Sequence, residues 1–280
     1  MESRGVRILV RAMSGLVLVF LYSPLAIVII YAFNRHISQV WPPDVFTTRW
    51  FSVALHDADV RRSLVASLEA GLAATGITLV LGSAAAFAVH RFRFFGRETV
   101  SFVVVLPIAL PGIVTAVALS SAIDYVHSVF PPFSFSLYTV IIGHATFCVV
   151  VVYNNVLARL RRTPTSLVEA SMDLGGDGWQ TFRYVTLPNI RTALLAGGIL
   201  AFGLSFDEIV VTVYTAGNSQ TLPLWIFNHI RGLPEERPVV NVVAMVVLLL
   251  SLIPVYVAQR LTGGEGVGRP AGGEATPQPV

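Results

Sequence analysis

Asp207 and Glu208 stand side by side in an apolar run that reaches from Leu194 to Tyr214, with Ser205 two residues before them and His144 in a separate apolar run. A carboxylate at hydrocarbon depth is costly, so such acids face a cavity, a partner or another subunit. Acidic groups along a water-accessible path lower the barrier for a cationic solute, and that is the first chemistry these residues suggest. A proton relay through Asp207, Glu208 and His144, as in a secondary transporter, is a second reading. An intramembrane serine protease built on Ser205 and His144 is a third. Against the protease, the residue after Ser205 is Phe206 instead of glycine, and no oxyanion arrangement is suggested. The structural alternatives are a protonated acid bonded to a neighbouring helix and a packing histidine.

A second group of residues suits mechanical work. Pro164 fits the first turn of a helix that Thr163 or Thr165 can cap. Leu167, Val168, Ala170, Ser171 and Leu174 give that helix a small or apolar surface, while Glu169 and Asp173 lie four apart on another face. Gly175-Gly176-Asp177-Gly178 ends it. A second short helix is expected over Trp179 to Val185, with Pro188 after Leu187 breaking the chain again. An amphipathic hairpin on lipid headgroups, with Arg183 and Arg191 near anionic lipid, is the plainer alternative.

The elements that must hold these groups are membrane spans. The chain has 280 residues, 54% of them hydrophobic and only 12% charged, with a mean hydropathy of +0.71, which is far more apolar than a soluble domain. Six segments meet the length needed to cross hydrocarbon: Met13 to Phe33, Leu64 to Val89, Thr99 to Ala122, Leu137 to Leu157, Leu194 to Tyr214 and Val239 to Ala258. The first is too long and lacks the small-residue site of a cleaved signal peptide, so it reads as an anchor. All 19 basic residues counted are arginines. The absence of lysine removes a P-loop or Schiff-base lysine, so any ATP is bound by another subunit. The lone Cys148 excludes an intrachain disulfide. No metal-ligand spacing, cofactor fingerprint or nucleic-acid patch is present.

Arginine asymmetry sets the orientation. With the N-terminus inside, thirteen arginines fall on the cytoplasmic side and six opposite, which puts both termini and the Glu169 loop in the cytoplasm. Residues 1–63 then form the anchor helix and an outer loop whose Trp41, Trp50 and Phe51 suit the headgroup level. Residues 64–260 form the transmembrane core, interrupted by the loop 159–193, and residues 261–280 form a disordered cytoplasmic tail. Pro107 and Pro111, followed by Gly112, predict a kinked or interrupted third span with that face toward the bundle interior, a candidate hinge. Glu69 reads as snorkelling from the outer end of the second span, and Asn154 and Asn155 as bonding backbone or neighbouring helices. Leu222 to Phe227 is too short to span and reads as a short helix at the outer rim or folded toward the bundle.

The sequence Glu169-Ala170-Ser171, three residues, Gly175, nine residues, Val185-Thr186-Leu187-Pro188 resembles the coupling loop of permease subunits in bacterial ATP-binding cassette importers. The only departure is Ser171, where that pattern has a second alanine. Leu106 to Val114, Gly143 to Phe147, Tyr153-Asn154-Asn155 and Ser205 to Glu208 are similar to the spermidine/putrescine-type subfamily, and the resemblance covers roughly Phe46 to Leu261. It implies an all-α, polytopic, six-helix protein with the type I importer permease fold. It further implies that Glu169, Ala170, Ser171, Asp173, Gly175, Leu187 and Pro188 dock a separate ATPase, with no chemistry in this chain. The implied partners are two ATPase subunits, a second homologous or identical permease and an extracytoplasmic solute-binding protein, in a bacterial inner membrane.

Overall fold

The computed structural model describes residues 4–263. Among the described residues there is no β-strand, only an isolated bridge between Asn34 and Phe46. The helices are α1 (Arg4–Ala32), α2 (Arg49–His56), α3 (Ala58–Arg91), α4 (Arg97–Ala109), α5 (Gly112–Val129), α6 (Leu137–Arg162), α7 (Thr165–Asp173) and α8 (Gly178–Thr181). A π-turn (Phe182–Thr186) follows, then α9 (Leu187–Phe206), α10 (Val210–Thr215), α11 (Leu222–His229), a 3-10 turn (Pro234–Glu236) and α12 (Arg237–Gly263). Among the described residues, six stretches are long and apolar enough to cross a membrane: α1, α3, α5, α6, the run Gly178–Phe206, and Pro234–Pro254.

The centre is a three-helix contact of α3, α6 and α9, and small residues make it possible. Along α3 the buried positions include Ser63, Ser67, Ala70, Ala74, Thr78 and Gly82, a small residue on nearly every inward turn. A β-carbon on Gly82 would lie 3.0 Å from the Val149 carbonyl oxygen, and one on Gly197 of α9 would lie 3.3 Å from Val152 Cα. In lipid, where apolar burial gives no net drive, such backbone approach supplies the packing that holds helices together. Phe147, Cys148, Val152 and Tyr153 of α6 fill the space between Ala86 and Ala201. Cys148 is fully buried with Sγ 3.4 Å from the Ala201 carbonyl, the packing role its apolar surroundings imply. Tyr153 carries its hydroxyl to Ser101 of α4, 2.8 Å away.

α1 is attached at one end only. Its apolar side chains from Val6 to Tyr22 are exposed, whereas Ala32 is buried in a second cluster with Phe206, Leu222, Trp225 and Val239. Phe33 and Phe51 of the following segment meet with ring centroids 5.0 Å apart and planes tilted by 40°, and Trp50 Nε1 donates to the Asn34 carbonyl at 2.9 Å. Trp50 and Phe51 therefore pack against the bundle, and of the three aromatics expected at the surface only Trp41 is exposed. α11 folds back onto the bundle with Leu222, Pro223, Leu224 and Trp225 buried.

Several boundaries differ from the sequence expectation. α3 begins at Ala58, not Leu64, because Asp57 caps it by accepting from the Asp59 and Val60 amides. Glu69 consequently lies eleven residues inside α3, roughly 16 Å from its start, and is exposed there rather than at the span's end. The third span is two helices separated at Leu110-Pro111, with Pro107 accommodated inside α4. Pro111 and Gly112 are exposed on this chain, not turned into its own core. Asn155 bonds the Val151 carbonyl, but Asn154 is exposed. α12 runs through Gly263, so the first residues of the segment read as a tail are helical; its remainder, 264–280, lies outside the described residues.

Candidate functional site

The fifth span does not pass through its acids. α9 stops at Phe206, Asp207 is its C-cap, and the chain resumes helix only at Val210. The expected continuous run to Tyr214 is thus corrected to two helices with Asp207 and Glu208 in the break. The interruption in the third span sits beside it: a β-carbon on Gly112 would touch Val210 Cγ1 at 3.9 Å. The first residues of α5 and α10 are therefore neighbours, each just past a break of the kind membranes tolerate where the backbone is covered by protein or lines a water-filled cavity.

The adjacent acids have different settings. Glu208 is half-buried and its Oε1 accepts the Val211 amide at 3.0 Å, satisfying one of the free donors that begin α10. Asp207 is exposed and, among the described residues, makes no side-chain hydrogen bond.

Ser205 and His144, grouped with these acids from the sequence, lie behind them in the interior at 2% and 1% exposure. His144 Nδ1 is 2.8 Å from Ser205 Oγ and Nε2 is 2.9 Å from Thr212 Oγ1. Thr212 Oγ1 spends its proton on the Glu208 carbonyl, 2.8 Å away. It must therefore accept from Nε2–H, and in the neutral tautomer that fits this bond Nδ1 accepts from Ser205. The Ser–His pair needed by a protease does form, but Thr212 occupies the second ring nitrogen and both partners are closed off. Sequence reasoning missed Thr212, whose place beside His144, 68 positions earlier, only the fold reveals.

At the other end, α7 and α8 form the expected hairpin. Pro164 is the N-cap of α7, with no side-chain cap; Thr163 instead donates to the Arg159 carbonyl. Gly175 takes φ +85°, the left-handed turn that ends α7, and the Gly176 amide returns to the Ser171 carbonyl at 2.9 Å. Asp177 caps α8 reciprocally with Gln180. Glu169, Ala170, Asp173, Leu174, Leu187 and Pro188 are all exposed. Glu169 lines a cavity of about 420 Å³ with His90, Arg91, Leu160, Met172 and Phe182, between the hairpin and the inner bundle.

Pro188 does not break the chain as expected. The π-turn precedes it, with the Leu187 amide donating five residues back to Phe182, and the helix continues from Gly178 to Phe206. Proline at the start of α9 withholds an amide, and polar side chains serve nearby carbonyls: Asn189 Nδ2 reaches Val185 and Arg159 Nε reaches Asn189 itself, at 2.7 and 2.9 Å.

The chain belongs to the family described as binding-protein-dependent transport system inner membrane component, which its residues 78–262 match. It is similar to the putrescine transport system permease protein PotI of Escherichia coli (strain K12), 32% identical with 82% of each chain covered. It is also 30% identical to the spermidine/putrescine transport system permease protein PotC of the same strain, covering 86% of this chain and 89% of that one. Similarity extends to the putative 2-aminoethylphosphonate transport system permease protein PhnV of Salmonella typhimurium, at 28% identity over 89% of this chain and 93% of that one. Among solved structures, a bacterial ABC transporter that imports alginate matches with TM-score 0.70 at 15% identity, covering 93% of this chain and 98% of that one. The MetNI methionine transporter matches with TM-score 0.61 at 18% identity, covering 74% and 95%. The fold is that of type I importer permeases, and the subunit is a non-catalytic, multi-pass inner-membrane component. The protease and secondary-transporter readings are not favoured.

Proposed function

We propose that this chain forms half of the path by which an importer takes up a small cation of the polyamine class, putrescine or spermidine, driven by a separate ATPase. The observation that carries the reading is the exposed Asp207, without a side-chain hydrogen bond, in a helix break whose far side at Val210 contacts Gly112, the first helical residue past the Leu110-Pro111 break. A carboxylate free of internal bonds at that place attracts a cation and repels an anion. The relatives named for putrescine and spermidine transport support the same class of cargo.

In this reading both termini and the hairpin are cytoplasmic. Two ATPase subunits grip residues 164–188, a second permease completes the path and an extracytoplasmic binding protein delivers solute. Glu169 offers its carboxylate to a basic group of the ATPase, and Pro107, Pro111 and Gly112 let the third span flex. The test is uptake by the assembled complex in proteoliposomes, with polyamines competing against amino acids and anions. Competition by polyamines alone, and only with ATP inside, is the expected result. Uptake driven by an ion gradient without ATP overturns the coupling, and competition by anions overturns the cargo.

A further inference from the structure

We propose that His144 is a positioning residue for Asp207, splicing the two arms of the helix break so that the Asp207 carboxylate is held on the open face. The proposal rests on the reading of Asp207 as a cation contact.

The break leaves Asp207, Glu208 and Ile209 outside helix: the Glu208 amide returns to the Ser205 carbonyl and the Val213 amide to the Ile209 carbonyl, but among the described residues no backbone bond joins α9 directly to α10. The imidazole does so from a third helix. One ring nitrogen takes the Ser205 hydroxyl on the last turn of α9, and the other gives its proton to Thr212 on α10. Thr212 in turn holds the Glu208 carbonyl, so the chain of bonds closes around the break itself.

The neighbouring residues make this reach possible. A β-carbon on Gly143 would lie 2.8 Å from Val211 Cγ1, so only glycine there lets α10 come close to α6. Thr139 Oγ1, one turn earlier, reaches the Thr215 carbonyl at 2.7 Å and ties down the far end of α10. Glu208 is committed to the Val211 amide. That division of labour leaves Asp207 as the acid whose direction matters to solute, and His144 sets that direction without touching solute itself.

The experiment compares His144→Phe, His144→Gln, Asp207→Asn and the His144→Phe/Asp207→Asn double variant in the reconstituted complex, with putrescine as probe. His144→Phe should raise KM about tenfold while maximal rate and complex yield stay near wild type. His144→Gln, which keeps a donor for Thr212, should recover most of that loss. The double variant should be no worse than Asp207→Asn alone. Multiplying effects, an unchanged KM, or a loss confined to yield would overturn the proposal.

If His144→Phe fails to assemble, Ser205→Ala and Thr212→Val cut the arms singly, and each should raise KM. A second measurement is independent of transport: thiol labelling of Asp207→Cys in a Cys148→Ser background, with and without His144→Phe. A change in labelling rate supports positioning even if Asp207→Asn transports normally, which would defeat the cation-contact reading alone. An unchanged rate defeats the positioning role.

Discussion

Ser171 Oγ lies 3.0 Å from Thr181 Oγ1, joining the first helix of the hairpin to the second. The one residue that departs from the importer loop pattern is thus a cross-brace, and its partner Thr181 is buried. Ser171→Ala leaves that hydroxyl without its partner and should weaken the hairpin by about 1 kcal/mol. Amide exchange across residues 165–181 should then quicken by roughly fivefold. Adding Thr181→Val should return much of the protection.

Gly175 holds a positive φ that proline cannot adopt. Gly175→Pro and Glu169→Ala should therefore raise the number of ATP molecules hydrolysed per solute imported, while leaving the bundle folded. Full uptake at the normal ratio in vesicles carrying both changes would contradict an ATPase-docking role for the loop.

Asp207→Asn and Glu208→Gln should behave differently although the two acids are neighbours. The amide oxygen of glutamine can still accept from the Val211 amide, so Glu208→Gln should keep α10 capped and change uptake less than about threefold, within the range of a weakened cap. Asp207→Asn removes an exposed charge with no internal duty and should lower cation uptake by about tenfold or more. Initial-rate measurements at several solute concentrations decide between them.

Gly143→Ala places a methyl group 2.8 Å from Val211 Cγ1 in a buried helix contact. Such overpacking should destabilise the protein by about 1–3 kcal/mol. Val211→Ala in the same chain should restore part of it, read as the midpoint of thermal unfolding in detergent.

Hydrophobic runs made the number of spans legible from sequence, and the glycines after Asp173 marked the end of α7. What stayed hidden was governed by bonds between distant residues. Pro188 carries the usual signal of a break, yet a π-turn and the side chains of Asn189 and Arg159 absorb it. The run around Asp207 is apolar on both sides of the two acids and holds no proline to announce that α9 ends there; the capping by Glu208 and the reach of His144 from α6 accompany the break. Asp57 extended α3 for a reason that was available locally, since an aspartate before a helix is a cap signal. The two acids could be singled out by chemistry alone, but their different exposures could not.

Beyond the π-turn, α9 from Leu187 to Phe206 makes a strut of roughly 30 Å that ends at Asp207. A tilt of about 8° imposed at its π-turn end swings the acid by roughly 4 Å over that length. That is more than the span of a hydrogen bond, so in the proposed reading an ATPase pushing at one face of the membrane makes and unmakes a solute contact deep within it.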